Sequence, residues 1–231
     1  MEYNYKLLKA EVEQVYNKLI VDAKTGDGKS VTAFCPAMEI AEVCKKGMKI
    51  WLKKTSLQDR LIKYNVAFVE TPDGVVFANP KYNRQLFQEA FAKGILSDFD
   101  GYDKCNPLGA QDNAKGLDFE LVAENGEKCF VFVTSIYDKI EGCAAFPHAI
   151  NFFEMQMFSE MQRLKLSGHK VCVFMIAPRS DCVNAKFVWS LDAVAAAAIF
   201  EAAKNGVNFL CYGCKIEKNN IEINRKMDIL Y

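Results

Sequence analysis

No stretch of this 231-residue sequence approaches the roughly 20 consecutive apolar residues that a membrane helix needs, so no helical span is expected. The opening, MEYNYKLLKAEVEQ, is too charged for a signal peptide, and the expected compartment is the cytoplasm. Neither sign of charge dominates: 29 Lys and Arg face 29 Asp and Glu. That balance excludes a protein that holds nucleic acid or a membrane by global charge, and leaves room only for a local patch. There is no Walker motif, no GxGxxG and no HExxH, so nucleotide, dinucleotide and zinc-protease chemistry lack their usual signatures. Histidine is reduced to His148 and His169. What is present is ordinary for a globular chain: 51% apolar and 25% charged, at a length of one or two domains.

Cysteine is plentiful but badly arranged for bridges. Nine is an odd number, several lie inside apolar runs, and reduced buried thiols fit better than a disulfide framework. The close pair Cys211-Tyr-Gly-Cys214 has no second CxxC and no nearby histidine to complete a zinc site. On an extended strand the two thiols would face opposite ways.

Charge collects in one place. From Lys45 to Lys63 there are seven cations, Lys45, Lys46, Lys49, Lys53, Lys54, Arg60 and Lys63, against Asp59 alone, a net of +6. Trp51 and Tyr64 are interleaved with them, and a single-strand groove combines cations for phosphates with ring faces for bases. The competing reading is a solvated lysine-rich edge that discourages strand-to-strand association.

Hydrophobic patterning predicts a mixed sheet with helical crossovers in the second half. Leu117–Ala123 and Cys129–Thr134 read as a hairpin about Asn125-Gly126. Residues 151–167 read as a helix stopping at Gly168, and Val171–Ala177 as a strand buried on both faces. An alanine-rich helix over 192–205, with Ser190 as N-cap, precedes strands at Val207–Ile216 and Ile221–Arg225. In the first half, Lys49–Leu52, Ala67–Glu70 and Val75–Ala78 read as short strands. Residues 5–22 follow helical spacing.

Several landmarks occur in an ordered series: Val31-Thr-Ala-Phe-Cys35-Pro36, the Gly47 turn, Arg60 with Tyr64, and Asn79 followed by Asn83-Arg84. Glu89-Ala90, Leu117-Asp118-Phe119, Phe146-Pro147-x-Ala149 and Gly206-Val207 continue it. Together they resemble the sugar fermentation stimulation proteins, nearly end to end. The resemblance implies an OB-like β-barrel over residues 1–84 and a restriction-endonuclease-like, PD-(D/E)xK domain over 85–231, an α+β architecture with a mixed sheet and flanking helices. It also implies barrel strands, not a helix, over 5–22.

A nuclease of that kind needs an aspartate and a glutamate to hold a divalent metal, and a lysine two residues past the glutamate to steady negative charge. Asp118 matches the family's aspartate. Where the resemblance expects E-x-K, within Cys129–Thr134, Phe132 replaces the glutamate and Thr134 the lysine. Asn106, Lys115-Gly116, His148, Phe153 and Met157 fall where other polar signatures are expected. The remnant carboxylates Asp118 and Glu120, two apart on one strand, are the candidate metal ligands. Cys143 and His148 share a loop without a motif to orient them.

The expected function is therefore nucleic-acid binding without cleavage by a pseudo-nuclease, through Lys46, Lys49, Lys53, Lys54, Arg60 and Lys63, with Trp51 or Tyr64 as stacking faces. No cofactor is expected. A weak DNA or RNA nuclease using Asp118 and Mg²⁺ is the alternative, and a module binding a protein or small ligand in a cleft made apolar by Phe132, Phe153 and Met157 is the third. The apolar helix from Phe152 to Met161 would suit either core packing or a subunit interface, and homo-oligomerisation is carried as an expectation.

Overall fold

The computed structural model describes residues 1–36, 38–56, 61–109, 116–147, 152–217 and 219–231. Arg60, Lys115 and His148 lie outside the described residues, as do the side chains of Phe152 and Phe153.

Strand β1 (Leu7–Tyr16) turns Leu8, Ala10 and Val12 toward an apolar interior, and a bulge between Val12 and Gln14 then brings Val15 to the same side. The resulting 12-to-15 spacing imitates a helical step, which is why periodicity misleads there. Asn17 and Lys18, both at positive φ, make the tight turn into β2 (Ile20–Thr25). The helix that periodicity predicts over 5–22 is thus two strands, as the family resemblance implies.

Strands β3 (Ser30–Phe34), β4 (Lys49–Lys54) and β5 (Tyr64–Thr71) complete the barrel, with helix α1 (Met38–Val43) between β3 and β4. Pairing runs β3-β2-β1-β4-β5, and β3 closes on β5 through two parallel pairs, Ala33 with Tyr64 and Phe34 with Asn65. This five-stranded closed barrel has its own core, containing Val12, Val21, Ile50, Leu52 and Val66. Strand β6 (Gly74–Phe77) extends the sheet from β5.

A 3₁₀ turn over Pro80–Tyr82 leads into α2 (Asn83–Ala92). The second sheet is ordered β15-β14-β12-β9-β8-β7, from β7 (Tyr102–Pro107), β8 (Phe119–Ala123), β9 (Lys128–Ser135), β12 (Lys170–Ala177), β14 (Asn208–Glu217) and β15 (Asn220–Met227). Strand β12 lies between β9 and β14, parallel to both. Its alternate residues enter two cores, Phe174 and Ile176 on one side, Val173 and Met175 on the other, which explains the unbroken apolar run. Cys211 and Cys214 likewise enter opposite cores, and all nine cysteines are free.

Helices α3 (Phe152–Leu166) and α4 (Ala193–Lys204) cover one face of this sheet. On α3, Met157, Phe158, Met161 and Leu164 are buried and pack into the core, whereas Leu166 at its last position is exposed. Asp192, not the expected Ser190, caps α4: its backbone is extended and its side chain accepts from Ala195 N at 2.9 Å. A small sheet has no counterpart in the sequence reading: β10 (Asp138–Ile140), β11 (Cys143–Phe146), β13 (Ala185–Phe187) and β16 (Ile229–Leu230). Strands of two to four residues are too short for alternation to register.

The other face of the large sheet packs on the barrel wall. Tyr3, Phe68 and Phe77 from the barrel side share one core with Phe87 of α2, Phe119 and Phe174. A polar clasp adds to it. Phe77 N donates to Pro178 O, Ser180 N to Val75 O, and the Thr71 hydroxyl to Asp181. Gly74 is required here, because a Cβ would stand 2.5 Å from Ser180 Oγ. Buried Arg179 binds Asp181 with two nitrogens, and Lys139 adds a third charge-assisted contact.

Candidate functional site

Asp118 stands immediately before β8, against strand β9. Its Oδ2 accepts the backbone N–H of Val133 at 2.7 Å, and its Oδ1 accepts Arg84 Nη1 at 3.1 Å. Arg84 reaches over from α2, donates through Nη2 to Leu108 O at 2.7 Å, and lies 5.2 Å from the Phe119 ring centre. Burial pushes the Asp118 carboxyl above the usual aspartate range, with the Val133 amide and Arg84 opposing it incompletely.

Val133 sits between Phe132 and Thr134, the two positions where the family's anion and cation are expected. What this strand presents to Asp118 is therefore a peptide N–H. Phe132 packs against the core under α3. Glu120 is engaged elsewhere, with Lys128 Nζ at 2.6 Å and Asn106 Nδ2 at 3.4 Å. Asp118 and Glu120 share none of these partners. A divalent cation of the kind a nuclease uses does not fit such a donor set. One carboxylate already accepts from a peptide N–H and a guanidinium, and the neighbouring side chain is an aromatic ring. Among the described residues no group of three or more His, Cys, Asp or Glu could hold a metal ion. Cys143 has its Sγ 3.8 Å from Glu141 O, and His148 is outside the description.

The basic stretch does not form one surface. Lys49, Trp51 and Lys53 alternate with buried Ile50 and Leu52 and so point out of the barrel. Lys46 and Lys63 are exposed, and Lys49 borders a separate shallow depression with Lys24. Trp51 is committed: its Nε1 donates to Glu70 Oε1 at 2.7 Å, and Lys9 Nζ lies 4.7 Å from its ring. Tyr64 packs against the barrel core. Trp51 borders a depression of about 380 Å³ with Tyr5, Leu7 and Phe68.

Lys53 and Lys54 do meet in a groove of about 1070 Å³. Lys81, from the turn before α2, supplies a third cation, and Asn65 and Asn79 supply amides. Tyr3, Tyr5, Tyr82 and Phe34 supply rings; no Asp or Glu is among the described lining residues. Lys53 Nζ lies 3.2 Å from the centre of the Tyr5 ring and donates to the Tyr82 hydroxyl at 3.2 Å. Tyr82 in turn donates to the Tyr5 hydroxyl at 3.4 Å. Tyr5 is lowered from the usual phenol range by the Tyr82 hydrogen bond and by Lys53, whereas burial, then Tyr5, pushes Tyr82 up to about 12. Sequence reasoning missed Tyr5, Tyr82 and Lys81, because only the closed barrel brings the first residues and the pre-α2 turn to the end of β4.

The closed barrel joined to a mixed sheet with flanking helices, around a lone aspartate, defines the class: an α+β protein with an OB-like barrel and a restriction-endonuclease-like second part. A family model described as the sugar fermentation stimulation protein RE domain matches residues 81–220. The chain belongs to the sugar fermentation stimulation protein family. It is 25% identical over 224 residues to the homolog of Paramagnetospirillum magneticum, covering 96% of this chain and 95% of that one. The Maricaulis maris homolog is 24% identical over 231 residues, covering 99% and 98%. The structure of Pyrococcus furiosus SfsA in complex with Ca²⁺ superposes with a TM-score of 0.81 at 16% identity, covering 100% of this chain and 98% of that one. No helix among the described residues is long and apolar enough to cross a membrane.

Proposed function

We propose that this chain binds single-stranded or non-specific nucleic acid in the cytoplasm and does not cleave it. One observation carries the reading: Lys53, Lys54 and Lys81 share a groove with exposed tyrosine and with no lining carboxylate among the described residues. Phosphates need cations free of competing anions, and bases need ring faces. Absence of cleavage follows from Asp118, whose two oxygens are held by Val133 and Arg84 where a metal would have to bind. The Pyrococcus relative was solved with Ca²⁺; the second reading for this chain is a weak metal-dependent nuclease centred on Asp118.

Fluorescence anisotropy with labelled single-stranded DNA and RNA tests the reading. Neutralising three phosphates gives a log affinity against log salt slope of about −2. No binding at low salt, or affinity indifferent to salt, overturns it. Cleavage in Mg²⁺ or Mn²⁺ that is lost on chelation and in Asp118→Ala establishes the nuclease instead.

A further inference from the structure

Helix α4 is apolar almost all the way round, yet it lies at the surface. Ala195, Ala196 and Ala202 face the core, while Ala193, Val194, Ala197 and Phe200 face water. A helix of that composition is ordinarily covered on both sides. The exposure is not confined to the helix. Of eleven exposed large apolar side chains among the described residues, six are Trp189, Leu191, Val194, Phe200, Leu230 and Tyr231. Ring contacts connect them: Trp189 lies 5.8 Å from Phe200 and 5.5 Å from Phe187, and Phe187 lies 6.1 Å from Tyr231. They form one ridge running from α4 to edge strand β16.

We propose that this ridge is the contact between two copies of the chain, paired through antiparallel α4 helices. Area and charge argue for that occupant. Val194 is 74% exposed, Phe200 57%, Trp189 50% and Tyr231 92%. With at most about 200 Å² per side chain, the six leave up to roughly 700 Å² of surface in water, most of it apolar. That lies at the top of the range for the largest patch of a monomer, roughly 300–600 Å², and approaches the share of about 800 Å² that one partner brings to a stable interface. Ala193 and Ala197 lie at the centre of the outer face, and their small size lets a second helix approach closely.

The charges are self-complementary in one orientation. Asp192 is at the start of α4, and Glu201 and Lys204 are near its end. An antiparallel crossing about Ala197 brings Phe200 to Val194 of the second copy. It brings Lys204 toward the second copy's Asp192. None of these residues belongs to the Lys53 groove, so the proposal is independent of nucleic-acid binding.

Sedimentation equilibrium of the whole chain tests it, with Phe200→Glu and Val194→Lys as variants. Both side chains are exposed, so the fold should persist, and unchanged circular dichroism checks that. The expected result is twice the chain mass for the wild type, with the dissociation constant raised by roughly 30-fold or more in each variant. Lys204→Glu should weaken pairing, and raising salt should narrow its difference from the wild type. A wild type that stays single up to about 100 μM overturns the proposal, since a hydrophobic interface of this size should associate well below that; the ridge would then belong to a different protein. A dimer indifferent to both apolar substitutions overturns it equally.

Discussion

Lys53 holds its ammonium 3.2 Å from the centre of the Tyr5 ring, joining the fourth strand of the barrel to the residues that precede the first. The contact fixes a cation and a ring side by side before any ligand arrives, which lowers the ordering cost of binding. Tyr5→Ala should weaken single-strand affinity by about 1 to 3 kcal/mol. Lys53→Met should flatten the salt dependence by about 0.7 of a slope unit. Trp51→Phe, by contrast, should leave affinity near the wild-type value, because the indole is already bound to Glu70 and covered by Lys9. Anisotropy titrations at several salt concentrations separate these outcomes.

Arg84→Met removes the cation facing Asp118 and leaves its carboxylate with the Val133 amide alone. Asp118 is already raised by burial, so the folded chain holds its proton more tightly than the unfolded chain. Its contribution is full at low pH and is lost as pH rises through the folded value. Losing Arg84 should raise that value further, so the destabilisation should be about 1 to 2 kcal/mol near neutrality and shrink toward acid. Urea unfolding at pH 7 and at about pH 4, near the unfolded aspartate value, reads the difference. An equal loss at both would show that the guanidinium acts through packing on Phe119.

Asp181 has the opposite sign. Burial would raise it, but Arg179 and Lys139 outweigh burial and hold the carboxyl well below the usual range. This stability is present above the unfolded aspartate value, about 3.9, and is lost as pH falls through the folded one. Asp181→Asn should therefore unfold more easily at neutral pH and show a shallower acid dependence than the wild type. Thermal melts between about pH 5 and 2 test both, the window in which unfolded carboxylates take up their protons.

Phe87 stacks on Phe119 at 4.9 Å and meets Phe174 edge-on at 4.8 Å. That core also holds Phe68 and Phe77 from the barrel side. Phe87→Ala should cost about 3 to 5 kcal/mol and lower the stability of barrel and sheet together. Calorimetry should show one transition in the wild type. Two separated transitions would mean that the shared core does not couple them.

The sequence was legible where one physical rule governed a segment. Strand β12 could be read because both its faces are buried, and the Asn125-Gly126 turn because Gly126 adopts φ 83°. Strand β1 could not, because a bulge changes its phase partway along. The site followed the same division. Phe132 and Thr134 stand out once Asp118 is aligned, since missing charge is visible in a string of letters. The Lys53 groove was half visible: its lysines are adjacent in sequence, whereas Tyr5 and Tyr82 reach it only through barrel closure. The partner of Trp51 was hidden, because nothing near it in sequence announces Glu70.

The barrel's seam gives the groove a mechanical side. Only two residue pairs join β3 to β5, and Phe34 and Asn65, which make one of them, also line the groove. A molecule lodged there would bridge both lips of the shortest join in the barrel and act as a staple across it. Occupancy would then register first as slower amide exchange along that seam, ahead of any change in the sheet beyond.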